Sequence, residues 1–456
     1  MTAFAALGIF EPHTIPDVGP EALVFPARTR AEGPADLFIL EDHKLRIYSA
    51  DGGPARTVHL PQGASAFDVG AAHDDRDRDL IVVHGDKILQ YSMSDESASP
   101  VELFTMETIF SPPAAQPHPY VLTTTMDDRT LLALPTDDAL ELRRFNGELE
   151  ARFPLTNQAH PSFGPSFSAW PVEPVQTAPA GGFEMRVSHV YEKTVELPET
   201  MKHQPRQERP YRRVTPSQMT QIADLGPESW PWFPLRADGD DSIRVLYAPA
   251  QPDLSDTLIR LRHAPTDEDD QTGVTLLPAR RYPGRLMDPS MDMPDFNGNG
   301  YVDLLLWSAP KPTSSIDSIV RTLIGRTWPI RITVHHYDPI RERHEPTPSA
   351  IITCRLPVLW MMIHEDGTPL RNVVLQDFTG DGRTDCAWSC DEHTFQVWRS
   401  RETGFSDRPD RTYEFPEPGM RIEQRVDFDG LGRTSLVFRG ETTVLWLYAK
   451  PDETGQ

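Results

Sequence analysis

Residues 295–307 read DFNGNGYVDLLLW and combine a cation-type loop with a buried strand. Oxygen atoms follow at alternate positions, from the side chains of Asp295, Asn297 and Asn299, the backbone carbonyl of Tyr301 and the carboxylate of Asp303. Calcium takes roughly six to eight oxygen ligands, and tight loops supply them at this spacing. An EF-hand loop would continue into a helix, whereas the apolar run LLLW is typical of a buried strand. The stretch therefore predicts a calcium loop that joins two strands.

The same pattern recurs at residues 377–388, which read DFTGDGRTDCAW. The matching oxygens come from Asp377, Thr379, Asp381, Asp385 and the backbone carbonyl of Arg383. We name residues 295–303 the first loop and residues 377–385 the second loop. A short apolar run follows both, so we predict one calcium site in each.

A third copy, residues 427–435, has lost part of its oxygen set, and we name it the third loop. Leu431 stands at the fifth position and Ser435 replaces the last Asp, so we expect the same shape without a metal. Asp377 lies 82 residues after Asp295, and Asp427 lies a further 50 residues on. These spacings fit repeats of about 40–50 residues with insertions, the size of a four-stranded propeller blade.

With these loops, the sequence resembles the FG-GAP/VCBS repeats of β-propellers of the integrin α-subunit type. The resemblance implies blades in which an acidic loop precedes a strand of the DLLLW kind, with calcium ions bound on one face of the disc. It implies two structural Ca²⁺ ions, held by the oxygen sets of the first and second loops. The tripeptide Ser308, Ala309 and Pro310 matches part of the family's second signature.

We predict an all-β chain that forms a single β-propeller of eight four-stranded blades, or seven if residues 157–216 are an insertion. The predicted blades are 22–62, 63–112, 117–156, 157–216, 217–284, 285–351, 352–418 and 419–449. An N-terminal strand, for which residues 5–10 are the candidate, should close the last blade, and residues 450–456 should form a tail. Five apolar residues at helical spacing within 314–325 predict one short inserted helix.

The chain is acidic, with 68 Asp and Glu against 44 Lys and Arg and a formal net charge of −24. Such a surface repels phosphate, so neither nucleic acid nor an anionic membrane is an expected partner. The basic segment 202–213 is interpreted as a solvated loop. No stretch has the roughly 20 apolar residues of a membrane span. The absence of a charged signal region predicts a cytoplasmic protein, or a secreted or cell-surface one if a signal peptide has been removed.

The three cysteines, Cys354, Cys386 and Cys390, are too few for a disulfide framework. On an extended chain Cys386 and Cys390 would lie about 13 Å apart, too far to bridge unless a sharp turn separates them. We expect buried free thiols, because an unpaired cysteine behaves as a small hydrophobic residue.

None of the common catalytic signatures occurs in the sequence. The favoured hypothesis is a non-catalytic, calcium-stabilised scaffold that binds a protein or a glycan, and a small-molecule substrate is not expected. The alternative is a glycan-acting hydrolase or lyase at the central channel, with carboxylates about 5–10 Å apart. The weak candidates for that chemistry are Asp288, Asp292 and His364.

Two further groups of side chains could contact ligands. Trp230, Trp232 and Phe233 could stack on sugar rings, although core packing explains them equally well. His335 and His336 are neighbours on a predicted strand, so their rings should point to opposite faces and cannot share one ion.

Overall fold

The structure is a computed structural model that describes residues 9–27, 29, 34–50, 55–71, 78–93, 99–108, 110–111, 117–119, 122–126, 129–136, 139–158, 192–195, 233–235, 243–249, 256–263, 277–286, 294–309, 327–357, 370–401 and 404–450. Within these ranges the chain forms 32 β-strands and no helix. The all-β prediction is confirmed for this part of the chain. Here no helix is long and apolar enough to cross a membrane.

The N-terminal half of the chain begins with β1 (Phe10–Ile15), which belongs to the last sheet, and then forms three consecutive sheets. Sheet I consists of β2 (Leu23–Ala27), β3 (Asp36–Glu41), β4 (Lys44–Tyr48) and β5 (Arg56–His59). Sheet II consists of β6 (Ala64–Ala71), β7 (Arg78–His84), β8 (Lys87–Tyr91), β9 (Val101–Thr105) and β10 (His118–Pro119), which runs parallel to β6. Sheet III consists of β11 (Thr123–Met126), β12 (Arg129–Pro135), β13 (Ala139–Arg143), β14 (Leu149–Gln158) and β15 (Glu192–Val195).

Four more sheets follow in the second half. Sheet IV consists of β16 (Phe233–Pro234), β17 (Ile243–Pro249), β18 (Asp256–His263) and β19 (Arg280–Pro283). Sheet V consists of β20 (Arg285–Leu286), β21 (Leu304–Ser308), β22 (Thr327–His335) and, after a two-stranded hairpin of β23 (Tyr337–Asp338) and β24 (Arg343–His344), β25 (Ala350–Pro357). Sheet VI consists of β26 (Arg371–Gln376), β27 (Asp385–Ser389), β28 (Thr394–Trp398) and β29 (Arg411–Glu414). Sheet VII consists of β30 (Arg421–Val426), β31 (Ser435–Arg439), β32 (Val444–Ala449) and β1.

The continuous apolar runs of the sequence are explained by sheets that are buried on both faces. In β3, Leu37 and Ile39 pack toward sheet VII, while Phe38 and Leu40 pack toward sheet II. Because successive side chains point to opposite faces, a strand with two buried faces needs an apolar residue at every position. The runs LFIL, LIVV and LLLW therefore mark strands enclosed between two neighbouring sheets.

Apolar clusters join successive sheets face to face. Among the described residues such clusters link sheet I to II, II to III, IV to V, V to VI, VI to VII and VII back to I. The described residues show no cluster between sheets III and IV. Each of the clusters removes large side chains from water, and burial of one such side chain stabilises by about 1.5–3 kcal/mol. Packing between sheets is therefore continuous in the order IV, V, VI, VII, I, II and III.

The last sheet takes its fourth strand from the other end of the chain. β1 pairs with β32 in antiparallel register, with Phe10 opposite Ala449 and Ile15 opposite Val444. We expected residues 5–10 to supply this strand, but it begins where that segment ends. Phe10 and Ile15 are buried at its two ends, so the predicted segment and the strand share Phe10, while residues 5–8 lie outside the described residues.

A disulfide joins two neighbouring sheets, which corrects the prediction of free thiols. Cys354 of β25 is bonded to Cys390, which follows β27, and their Cα atoms are 6.3 Å apart. Only Cys386 is a buried free cysteine, and its burial raises the pKa of the thiol. The partner was not visible in the sequence because Cys354 and Cys390 lie 36 residues apart and meet only when sheet V packs on sheet VI.

Several predicted elements fall outside the described residues. The proposed helix at 314–325 and most of the uncertain unit at 157–216 are among them. The described part of that unit, β15, pairs with β14 and so extends sheet III.

Candidate metal loops and the hairpin beside them

The carboxylate of Asp295 organises the first loop. Its Oδ1 accepts the backbone N–H of Gly298 at 2.8 Å and of Asn299 at 3.0 Å, and its Oδ2 accepts that of Gly300 at 2.7 Å. Gly298 and Gly300 have φ angles of 73° and 81°, in the left-handed region that favours glycine. One Asp and two glycines are thus enough to close this loop around a carboxylate.

The second and third loops repeat the same arrangement. Asp377 accepts the N–H groups of Gly380 at 2.6 Å and Gly382 at 2.7 Å, and Asp427 accepts those of Gly430 and Gly432, both at 2.8 Å. The next residue of each loop, Phe296, Phe378 or Phe428, is fully buried in a cluster shared with the following sheet. The loop motif therefore also carries a packing residue that locks neighbouring sheets together.

The ninth loop position makes a cross-strand hydrogen bond rather than facing only its own loop. In four sheets the side-chain oxygen at this position accepts a backbone N–H from a later part of the chain. The acceptor and donor pairs are Asp79 and Met93 at 3.3 Å, Asp303 and Tyr337 at 2.8 Å, Asp385 and Ser400 at 2.7 Å, and Ser435 and Ala449 at 2.9 Å. Asp79 makes this bond in sheet II, where the preceding sequence lacks the oxygen pattern, and a serine hydroxyl makes it in sheet VII. The position is a structural acceptor whether or not the loop has metal-ligating residues.

The second oxygens of the two ninth-position carboxylates are also engaged. Asp303 Oδ2 accepts the N–H of Phe296 at 2.9 Å and lies 2.9 Å from Nδ1 of His336, while Asp385 Oδ2 accepts the N–H of Phe378 at 3.1 Å. Burial raises the pKa of Asp303, against the opposing effect of His336. Burial also raises the pKa of Asp385 to about 8. Each of these two carboxylates therefore connects the start of its loop to a more distant part of the chain, which makes it a positioning residue of the loop.

A series of hydrogen bonds connects the loops of successive sheets. Asp295 exchanges two with Thr384, through its N–H at 2.9 Å and its carbonyl at 2.8 Å. The carbonyl of Asp377 accepts the N–H of Thr434 at 2.9 Å. At the other end, Val302 N donates to the carbonyl of Leu235 at 2.7 Å. We name this series the loop ladder, and it links sheets IV, V, VI and VII along one side.

Arginine side chains reinforce the ladder. Arg433 forms an ion pair with Asp429 inside the third loop, and both side chains are largely buried. Its Cγ lies 2.9 Å from the point where a Cβ on Gly380 would sit, and Arg383 Cγ lies 3.2 Å from the same point on Gly298. Each arginine therefore covers a glycine of the preceding loop.

The first and second loops fit a hard cation through their first, third, fifth and seventh positions. Asn297 Oδ1 and Asn299 Oδ1 each accept one N–H, from Asn299 and Tyr301, so both oxygens retain accepting capacity. In the described chain no three His, Cys, Asp or Glu side chains are grouped closely enough to hold a metal. The sets thus combine the carboxylates of Asp295, Asp377 and Asp381 with amide, hydroxyl and carbonyl oxygens, and all-oxygen sets suit calcium better than transition metals.

The predicted separation of the two adjacent histidines agrees with their contacts. His335 Nδ1 lies 2.8 Å from the carbonyl of Glu345, whereas His336 faces Asp303. The two rings have different partners and do not form a joint site.

The hairpin of β23 and β24 is anchored on the first loop, and sequence reasoning did not find it. The Tyr301 and Tyr337 rings are 5.1 Å apart, Asn299 Nδ2 donates to the Tyr337 carbonyl at 3.0 Å, and His344 Nε2 lies 2.9 Å from the Val302 carbonyl. Complete burial lowers the pKa of His344 to about 4, so the ring is neutral at pH 7. The only signal in the sequence is the turn dipeptide at Asp338.

The tip of this hairpin carries the most exposed large apolar side chain found in the described residues. Ile340 is 93% exposed, whereas Tyr337 and His344 at the base are almost completely buried. Arg341 lies next to it and forms an exposed ion pair with Asp338 at 3.2 Å. A rigid base thus presents an apolar tip to solvent.

The remaining candidates cannot be placed. Asp288, Asp292, His364, Trp230, Trp232 and the basic segment 202–213 lie outside the described residues. Phe233 begins β16, where its backbone pairs with Val245.

Comparison with known proteins gives little beyond this geometry. No family model matches the chain, and no curated protein matches it. Among solved structures, it is similar to a chain of the crystal structure of the mitotic checkpoint complex, with 7% identity and a TM-score of 0.29, over 99% of this chain and 95% of that one. It is also similar to a chain in the crystal structure of BBS1N in complex with ARL6DN, soaked with lead, with 10% identity and a TM-score of 0.29, over 98% of both chains. Similarity at this level carries no argument, so the assignment rests on the loops and the hairpin.

Proposed function

We propose that this chain is a non-catalytic interaction scaffold, built as a seven-bladed β-propeller of the FG-GAP/VCBS type. Three observations support the architecture: the described sheets of four or five strands number seven, apolar clusters join them in chain order, and β1 completes the last sheet. The eight-blade alternative is less favoured because β15, within the uncertain unit, adds to sheet III. A propeller exposes its loops on rigid blades, which suits a binding role.

The hairpin of β23 and β24 is the observation that carries the binding role. It forms a separate two-stranded sheet between β22 and β25, its base is fixed by buried contacts, and its tip exposes Ile340. Ile340 is the most exposed large aliphatic side chain among the described residues, and the supported hairpin makes it available to a partner. An aliphatic tip favours a protein partner over a glycan, because sugar faces are usually met by aromatic rings.

Two calcium ions are part of this proposal and are assigned a structural role. The oxygens of Asp295, Asn297, Asn299 and the Tyr301 carbonyl would hold one ion, and those of Asp377, Thr379, Asp381 and the Arg383 carbonyl would hold the other. A bound ion would neutralise the charge of the loop carboxylate and hold the oxygen atoms of the loop together. Asp303 and Asp385 act as positioning residues. The first loop supports the hairpin, so calcium there would stiffen the binding element.

The disulfide supports a secreted or cell-surface location. Disulfides persist in oxidising compartments and are rare in the cytosol. Extracellular calcium levels also suit loops of modest ligand count.

Partner capture by matched variants tests the scaffold role. Ile340→Asp should abolish capture of a defined protein set from the producing cells, while Ile351→Asp, at a 45% exposed position on β25, should leave capture unchanged. Both variants should melt at the wild-type temperature because neither side chain is in the core. Equal capture by Ile340→Asp and wild type would contradict the proposal, and so would breakdown of a glycan by the purified protein.

A further inference from the structure

A cleft opens between the edge of sheet IV and the hairpin of sheet V. One wall is formed by aliphatic side chains of β18 and the segment before β19, including Ile259, Leu261 and Leu277. The other wall is formed by Arg341, Glu342, Arg343 and His344, and the cavity volume is about 80 Å³. We name it the basic cleft. Its size suits one side chain of a partner rather than a whole ligand molecule.

The charge of the basic cleft is opposite to that of the protein. Arg280, Arg341 and Arg343 line it, with Glu342 as the one acidic residue in the lining. Within the described residues neither Arg280 nor Arg343 forms an ion pair, even though acidic residues outnumber basic ones by 68 to 44. Elsewhere in the described chain, Arg143 is paired with Glu141 and Arg439 with Glu423. Arg280 and Arg343 give the basic cleft a positive charge that is complementary to a carboxylate.

The floor of the basic cleft is rigid. Tyr282 is buried, and its hydroxyl donates to the carbonyl of His344 at 2.6 Å, which ties β19 to the hairpin. The rings of Tyr282 and His344 meet edge to face, with centroids 6.3 Å apart. A preorganised floor lowers the entropy lost on binding, because the arginines project from fixed backbone.

We propose that the basic cleft binds an acidic segment of a protein partner. A carboxylate of that segment is held by Arg280 and Arg343, since guanidinium groups bind carboxylates through paired hydrogen bonds. The aliphatic wall and the exposed Ile340 contact apolar side chains of the same segment, and this combination favours a peptide over a sulfated glycan. The inference rests on the proposed scaffold function and adds the chemistry of its partner.

The test uses a fluorescein-labelled peptide of alternating Glu and Leu, with binding followed by fluorescence anisotropy at low salt. The wild-type chain should bind this peptide although its own net charge is −24. Arg280→Glu/Arg343→Glu should weaken binding by about tenfold or more, because two charge-assisted contacts are lost. Arg331→Glu/Arg355→Glu makes the same charge change at exposed positions on β22 and β25 and should leave affinity close to wild type. A labelled peptide of alternating Lys and Leu and a labelled heparin fragment complete the set.

Three results would overturn the proposal. They are no binding of the acidic peptide by the wild type, equal weakening by the control variant, and binding of heparin without binding of the acidic peptide. If one of these occurs while Ile340→Asp still abolishes partner capture, the scaffold function stands and the cleft assignment fails. If peptide binding behaves as expected but Ile340→Asp leaves capture unchanged, the cleft binds anions and the scaffold role of the hairpin tip fails.

Discussion

The first and third loops have the same backbone curl and different side-chain chemistry. Asp295 and Asp427 each accept the N–H groups of the glycines at the fourth and sixth positions. In the first loop, uncharged amides fill the third and fifth positions. In the third loop, Asp429 at the third position is already neutralised by Arg433. The motif therefore contains a folding part, which both loops keep, and a set of side-chain oxygens, part of which the third loop lacks.

The surroundings of the two loops differ in the same sense. The ninth position of the first loop, Asp303, holds the base of the hairpin, whereas Ser435 in the third loop makes one bond to the strand that precedes the tail. The first loop thus supports the hairpin of β23 and β24, while the third supports the strand that pairs with β1. Four predictions sharpen this contrast.

Asp303→Ala should have the largest effect on stability. It leaves the buried N–H groups of Phe296 and Tyr337 without acceptors, which costs about 2–6 kcal/mol in the free energy of unfolding. Ser435→Ala leaves only the N–H of Ala449 without its acceptor and should lower the free energy of unfolding by about 1–3 kcal/mol. Urea denaturation of both variants measures the difference. Equal losses of stability in the two variants would contradict the prediction, because the ninth position would then stabilise both loops to the same extent.

Acid should weaken the hairpin region before it weakens sheet VII. The pKa of His344 is lowered to about 4, so its stabilisation is complete above the unfolded value of 6.5 and is lost as pH falls from 6.5 to about 4. At 1.36 kcal/mol per pH unit, the loss reaches about 3 kcal/mol. At Glu417 burial acts to raise the pKa, but hydrogen bonds from Thr442, Thr443 and Glu441 lower it to about 2. The stabilisation of the folded state by Glu417 is therefore lost as the pH falls from 4.5 to 2.

Melting temperatures from pH 7 to pH 3 check this order. His344→Gln should flatten the change between pH 6.5 and 4, and Glu417→Gln should affect only the lower range. The prediction fails if His344→Gln retains the wild-type slope above pH 4.5.

Calcium should stabilise the chain through the first and second loops and not through the third. At a hundredfold excess over Kd, each occupied site adds about 2.7 kcal/mol to the free energy of unfolding. Asp295→Ala and Asp377→Ala should each remove one of two sites in calorimetry, whereas Asp427→Ala should remove none. The double variant Leu431→Asn/Arg433→Tyr gives the third loop the residues that the first loop has at its fifth and seventh positions. It also removes the arginine that pairs with Asp429, so it should create a weak third calcium site. A melting curve unchanged by EGTA would contradict the structural role of calcium.

Glycine substitutions should separate conformational strain from contact between loops. Gly380 and Gly382 have φ angles of 78° and 80°, so alanine at either costs about 1–2 kcal/mol. Only at Gly380 would the new Cβ meet Arg433, whereas nothing lies within 4 Å at Gly382. Gly380→Ala should therefore be the more destabilising variant in thermal melts. If the two variants have the same melting temperature, the Arg433 side chain can move away from residue 380 without loss of stability, and its contact with the second loop is not tightly packed.

Local features of the sequence were sufficient to predict the strands, the repeated loops and the all-β class. Continuous apolar runs are the local signature of strands buried on both faces, and an Asp with two glycines at fixed offsets closes its loop through short-range hydrogen bonds. Such features depend on residues close in sequence, so periodicity and spacing reveal them. The sequence also identified which loop had lost its oxygen set, because Leu431 cannot ligate an ion.

Packing between sheets, in contrast, creates the disulfide, the second role of the ninth-position carboxylates and the basic cleft. Cys354 meets Cys390, Asp303 meets Tyr337, and Arg280 faces Arg343 across elements that are far apart in the chain. These pairings follow from how sheets IV, V and VI pack, and packing depends on the summed burial of many side chains rather than on any local pattern. The hairpin was missed for the same reason, since its short strands are stabilised by the first loop on which they rest.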